Sequence, residues 1–221
     1  SEEGVLPDEL TRLSLVLTGP RQRTFWQNND AGPALDFFDL KGVVEELIRA
    51  LHIADFAVEA AEHPTYRPGR TARLLLGDKQ LGLMGELHPL VAVSFDFRHE
   101  HPVLAAELDL ELLLAAIPPW HRITPVTSYP AILEDVAVVV DRGVTAVAVE
   151  TQIRLAGGYL LKDVELFDVY EGQQLGSGKR SLAYHLTFQA ADKTLTDKDV
   201  KKQRQRIVQQ LERTLGARLR D

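Results

Sequence analysis

Two adjacent prolines, Pro118 and Pro119, constrain this chain more than any other feature. Each fixes φ and removes a backbone donor. The run Ile117-Pro118-Pro119-Trp120-His121-Arg122-Ile123-Thr124-Pro125 therefore continues neither a helix nor a strand. Charge changes across it. Residues 1–126 carry 11 Lys and Arg against 19 Asp and Glu, a net −8, whereas residues 127–221 carry 14 against 13, a net +1. A first domain over residues 1–117, a linker over 118–126 and a second domain over 127–221 follow, and 221 residues suffice for two cored domains.

A net charge of −7 for the whole chain argues at first against a nucleic-acid partner. Its distribution reverses that, because residues 192–221 hold 9 basic and 5 acidic side chains. This asymmetry allows a phosphate-facing surface, although a solvated basic helix accounts for the same charges. Cysteine is absent, which removes disulfides, thiolate metal sites and thiol nucleophiles. No apolar run reaches the ~18 residues of a membrane span, and the N-terminus is polar and acidic rather than signal-like. The expectation is a cytoplasmic protein with no membrane partner.

The second domain has the clearer pattern. Val136–Asp141 is a β-branched strand, Thr145 caps a helix running to about Ala156, and Gly157-Gly158 ends it. Tyr159–Tyr170 and Arg180–Ala190 are two strands joined by the glycine-rich loop Glu171–Lys179. Asp197 is placed to cap a long helix striped by Val200, Ile207, Val208, Leu211 and Leu215. Gly216 stops that helix, and Ala217–Arg220 forms a last short strand. The order βαββαβ is the ferredoxin-like motif, in which both helices cover one face of the sheet.

Period-two alternation then sorts the strand residues. Leu182, Tyr184, Leu186 and Phe188 face the helices, as do Val136, Val138 and Val140, with Phe167 and Val169 from the second strand. Asp135, Ala137, Asp168, Tyr170, Ser181 and His185 are left together on the open face. A phenol among carboxylates and a hydroxyl is what an unstacked base needs, the ring to lie on and the polar groups to read its edge. A wet strand end with an incidental tyrosine fits the pattern as well.

The first domain alternates short strands with two helices. Leu13–Thr18 is a strand. Asp39 is a plausible cap for a helix with Val43, Val44, Leu47, Ile48 and Leu51 on one face. Thr71–Leu76 and Leu81–Leu87 flank Gly77-Asp78-Lys79-Gln80 as a hairpin, and Pro102–Leu108 leads into a helix over Leu110–Ala116. An antiparallel sheet with helices on one side is the simplest architecture, so the fold class is α+β in both domains.

Chemistry-bearing motifs are scarce. Gly172 to Arg180 looks like a phosphate loop but has the wrong spacing, puts Arg180 where a metal-binding hydroxyl is required, and joins two strands. His99 and His101 form a lone pair with no third ligand, so no metal is expected. Asp36, Asp39, Glu107, Asp109 and Glu111 sit at predicted helix starts, where negative charge suits the dipole. In Tyr66-Arg67-Pro68-Gly69-Arg70-Thr71-Ala72 a Pro-Gly turn sets Arg67 beside Arg70, to clamp an acidic partner or nearby carboxylates.

These segments together resemble one family. Asp36 to Ile48, Arg67 to Ala72, Gly82 to Pro89 and Glu107 to Leu110 are similar to the bacterial phenylalanyl-tRNA synthetase β subunit. So are Tyr129-Pro130, Asp135 to Val140, Leu166 to Gly172, Lys179 to Tyr184 and Thr194 to Asp197, in the same order. The resemblance implies the C-terminal part of that subunit, with the end of a catalytic-like class II synthetase sheet domain followed by a ferredoxin-fold anticodon-binding domain. It implies that the first domain is a non-catalytic scaffold packed on the α subunit of a two-α, two-β heterotetramer. ATP and Mg²⁺ would be bound elsewhere, since the strand and helix at Val103–Leu114 lack the glycine and arginine of class II ATP binding and offer Glu107 and Asp109 instead.

For the second domain the resemblance implies that a base of the tRNA(Phe) anticodon stacks on Tyr170, with Asp168, Ser181, Ala137 and Asp135 lining its pocket. Glu134 stands where the family often has arginine, which shifts expected phosphate contacts to Lys179, Arg180 and Lys193. The expected function is the tRNA-binding, subunit-interface portion of phenylalanine–tRNA ligase, carrying no cofactor and no active site of its own. The alternative is a regulatory protein whose ferredoxin-like domain binds a small molecule; a stand-alone enzyme is a third option without a catalytic constellation to support it.

Overall fold

The computed structural model describes residues 9–97, 100–120, 123 and 127–220. The chain divides into two compact units, Ser1–Ile123 and Thr124–Asp221. Positions 121, 122 and 124–126 of the expected linker, and His99 of the expected histidine pair, lie outside the described residues.

The first unit is a five-stranded antiparallel sheet in the order β1-β5-β4-β3-β2, with β1 Arg12–Leu17, β2 Phe56–Ala60, β3 Tyr66–Leu76, β4 Lys79–Leu87 and β5 Leu104–Asp109. Its helices are α1 Phe37–Ala50, α2 Pro89–Ser94 and α3 Leu110–Ala115. Leu40, Val44 and Ile48 of α1 pack on Leu74, Leu81, Met84, Leu104 and Leu108. Burial of such side chains is worth about 1.5–3 kcal/mol each.

The structure departs from the sequence reading at several points. Asp36, not Asp39, is the N-cap of α1, and Asp39 closes a capping box from the third helical position. The helix thus starts three residues earlier than expected, and Val43, beside the buried stripe of Leu40, Val44 and Ile48, is 44% exposed. The strand β2 and the helix α2 were not anticipated. Leu76 pairs with Lys79, so the hairpin turn is only Gly77-Asp78. The Pro-Gly step does not reverse the chain; it is absorbed inside β3 as a register shift between Tyr66 and Thr71, with Gly69 at φ +74°.

The second unit has β6 Ile132–Asp141, α4 Ala146–Gly157, β7 Leu161–Tyr170, β8 Lys179–Phe188, α5 Asp197–Leu215 and β9 Arg218–Leu219. The sheet order β7-β8-β6-β9 with every pair antiparallel is the ferredoxin-like arrangement. Both helices lie on one face, where Val136, Val138, Val140, Leu182, Tyr184, Leu186 and Phe188 meet Val149, Ile153, Val200, Ile207 and Leu211. The Tyr184 hydroxyl donates to the Ala146 carbonyl at 3.0 Å, and burial pushes that phenol well above its ordinary range.

The cap of α5 is Thr196 rather than Asp197. Its hydroxyl accepts from Asp199 N–H while the Asp199 carboxylate accepts from Thr196 N–H, which satisfies two orphan donors that Asp197 would leave open. Gly216 closes α5 in the left-handed conformation.

Candidate nucleic-acid interface

Strand register builds the helix-free face row by row. Tyr170 lies opposite Ser181, which lies opposite Val139. Asp168 lies opposite Ala183, which lies opposite Ala137, and Glu165 lies opposite His185, which lies opposite Asp135. The alternate positions on β6 and β8 are buried against the helices, so these rows point the other way. All six residues expected on the open face share it.

One expected orientation is wrong. Alternation puts Phe167 inward, but a β-bulge between Leu166 and Asp168 inserts it as an unpaired residue and reverses parity there. Its ring lies flat on His185, with centroids 3.8 Å apart and planes 9° from parallel. Val169 does take the helix side, opposite Leu182, but on an edge strand it stays half exposed.

Tyr170 and a residue the sequence reading missed meet across the sheet. The chain after β9 carries the Arg220 N–H to the Ala137 carbonyl at 2.9 Å, and the Arg220 guanidinium lies 4.8 Å from the centre of the Tyr170 ring. That is a cation–π contact between the two opposite edges of the sheet. It spans β8 and β6, which present the small side chains of Ser181, Ala183 and Ala137. Ser181 is consequently only 2% exposed, a correction to its expected accessibility: long edge side chains lean over the short central ones. The phenol end of Tyr170 rests on Gly172, where a Cβ would stand 2.2 Å from the hydroxyl oxygen. Alternation in Ala217–Arg220 was the available signal for Arg220, since Val139 pairs with Arg218 on this face and places Arg220 beside it.

The other named polar residues are tied to neighbours. His185 Nδ1 lies 2.7 Å from Asp135 Oδ1. Lys179 Nζ lies 2.7 Å from Asp141, and Lys193 Nζ lies 4.0 Å from Asp199. Arg180, expected to meet phosphate, is turned away: it pairs with Val140, on the helix side, and donates to the Val144 carbonyl. Its alternation with Ser181 dictates this. Glu134 also takes the helix side, 3.9 Å from Arg204 of α5.

In the first unit the candidate charges are engaged structurally. Arg67 and Arg70 each reach one oxygen of Glu86 at 2.7 Å, and that carboxylate side chain is 8% exposed. Arg21 bridges Asp36 and Asp39 at 2.9 Å each. The Asp36 N–H and, next, the Arg21 side chain hold the Asp39 carboxyl below its usual range. Asp109 caps α3 and pairs with Arg12, Glu111 lies in the first turn of α3, and Glu107 belongs to β5 rather than to a helix start. His88 caps α2. Among the described residues no group of three His, Asp or Glu is placed to hold a metal ion, and no helix is long and apolar enough to cross a membrane.

The ferredoxin-like sheet of the second unit thus has one helix-free face that carries a tyrosine ring, a guanidinium and carboxylates. Residues 127–220 match the family model of the ferredoxin-fold anticodon binding domain, and residues 1–110 match that of the phenylalanyl tRNA synthetase beta chain CLM domain. The chain is 46% identical over 215 residues to the phenylalanine–tRNA ligase beta subunit of Symbiobacterium thermophilum, covering 97% of this chain and 24% of that protein. It is 37% identical over 221 residues to the beta subunit of Bacillus subtilis, covering 99% of this chain and 27% of that protein. The Lactiplantibacillus plantarum subunit is also 37% identical, over 220 residues, with 99% and 27% covered. The chain belongs to the phenylalanine–tRNA ligase beta-subunit family and spans about a quarter of the length of these relatives.

Proposed function

We propose that this chain is the part of a phenylalanine–tRNA ligase that holds the anticodon of tRNA(Phe) and contributes to the contact with the α subunit, without an active site of its own. The assembled cytoplasmic enzyme, two α and two β subunits, joins phenylalanine to tRNA(Phe), with ATP and Mg²⁺ handled outside this chain.

The observation that carries the reading is the Tyr170 ring on the helix-free face, with Arg220 over it and Asp168 in the next row. An unpaired base entering there meets an aromatic ring and a planar guanidinium, the two kinds of side chain on which unstacked bases are held. Asp168 is exposed and accepts from base N–H groups. Arg220 takes the electrostatic role that Arg180, engaged on the other face, does not supply. Ala137 and Ser181 serve as the floor that lets ring and guanidinium come together.

The small-molecule alternative needs a sheet that pairs with another sheet. Exposed Asp135, Glu165 and Asp168 on the same surface oppose that, because the centre of a pairing interface is depleted of charge.

The test is Tyr170→Ala in the assembled ligase. Affinity for tRNA(Phe) is expected to fall by about 1–3 kcal/mol, the worth of one stacked base, with amino-acid activation unchanged. An equal loss of activation, or unaltered tRNA affinity, overturns the assignment.

A further inference from the structure

The bulge that turns Phe167 outward does nothing for the core. It removes an apolar ring from the helix side and leaves it 47% exposed beside carboxylates. What it achieves is the stack on His185, at 3.8 Å and 9°. His185 is in turn held by Asp135, whose Oδ1 is 2.7 Å from Nδ1. Three residues from three adjacent strands thus fix two parallel rings on the helix-free face. His185 and Ser181, the partner of Tyr170, stand four residues apart on β8. At the rise of an antiparallel strand that separation is about 13 Å.

We propose that Phe167, His185 and Asp135 form a second nucleobase subsite, separate from Tyr170, which takes another unpaired base of the same RNA strand on the exposed face of Phe167. The inference rests on the anticodon-binding reading and adds a second stacking position to it. Three features support a base as the occupant. The ring is already immobilised by the bulge and by His185, so stacking on it orders little that is free. Its outer face is flat and apolar while its surroundings, Asp135, Glu165 and Asp168, are hydrogen-bonding acceptors, which suits a base with a π-face and N–H edges. With Nδ1 engaged by Asp135, Nε2 of His185 is the ring nitrogen left to address a base edge or a 2′-hydroxyl. The patch is also continuous with the Tyr170 row through Asp168.

The test uses the full chain and a tRNA(Phe) anticodon stem–loop, intact or with one loop base at a time made abasic. In the wild-type chain two loop positions are expected to lose roughly 5- to 150-fold in affinity when the base is removed. Phe167→Ala should erase the penalty at one of these positions and leave the other; Tyr170→Ala should do the converse. Phe167→Tyr, which keeps the ring, should restore the lost penalty, and Phe167→Leu, which keeps only the apolar volume, should not. Circular dichroism and melting of each variant show whether it is folded. If Tyr170→Ala weakens binding and Phe167→Ala does not, the second subsite is wrong while the anticodon reading stands; if neither does, both fall. Penalties that coincide at a single loop position, full rescue by Phe167→Leu, or a Phe167→Ala effect confined to assembly with another protein chain also overturn the second subsite.

Discussion

The two units are built alike and use their polar residues differently. Each is an antiparallel sheet with helices over one face. In the first, the residues of catalytic type are engaged in holding the fold: Glu86 sits between Arg67 and Arg70, Arg21 ties Asp36 to Asp39, and Asp109 caps a helix. In the second, Tyr170, Arg220, Asp168 and the Phe167–His185 stack lie on a face that contributes nothing to the core. A charged cluster of this kind is therefore poor evidence of chemistry, whereas exposed aromatic surface gathered on an uncovered sheet face is of the kind that marks interaction sites.

The largest expected effect tests the first half of that contrast. Glu86→Ala leaves two guanidinium groups without their shared acceptor and should destabilise the first unit by about 1.5–3 kcal/mol, the range for charged hydrogen bonds. Native-state hydrogen exchange of β3 and β4 reads it; unchanged protection there would mean that the clamp is not structural. Thr196→Ala removes the cap of α5 and should cost the second unit about 1 kcal/mol in urea unfolding, with exchange speeding up in α5. Phe167→Ala and Tyr170→Ala should leave stability within about 0.5 kcal/mol, as surface changes do, and a larger loss would mean that the open face supports the fold after all.

The smallest effect is common to both units. The Thr196 side chain and backbone hold the Asp199 carboxyl below its ordinary range, as the Asp36 N–H holds Asp39. A depressed folded-state pKa contributes stability that is present above the unfolded value, about 4, and is lost as pH falls through that value toward the folded one. Unfolding midpoints followed from pH 6 down to about 2 should drop in this window, and Asp199→Asn should flatten part of the drop assigned to the second unit.

Much of the second unit was legible because its signals are local. Alternation in Val136–Val140 and Leu182–Phe188 named the buried face, and Thr145 and Gly216 marked helix ends by residue type. The first unit was harder. Its β2 is a short edge strand, and β3 runs through a proline and a glycine that ordinarily end a strand. The choice of Asp36 over Asp39, or of Thr196 over Asp197, depends on which side chain reaches which amide, a matter of one residue that composition does not settle.

What the sequence determined by itself was the order of elements in the second unit and the parity of its regularly paired strands, because side chains alternate wherever backbone pairing is uninterrupted. Only the tertiary structure decided three things: that Phe167 leaves the core, that Ser181 is covered, and that Arg220 crosses the sheet to Tyr170. Each depends on a partner distant in sequence. A bulge is set by how two strands register against each other, and the cover over a small residue is set by side chains that arrive from the sheet's far edges.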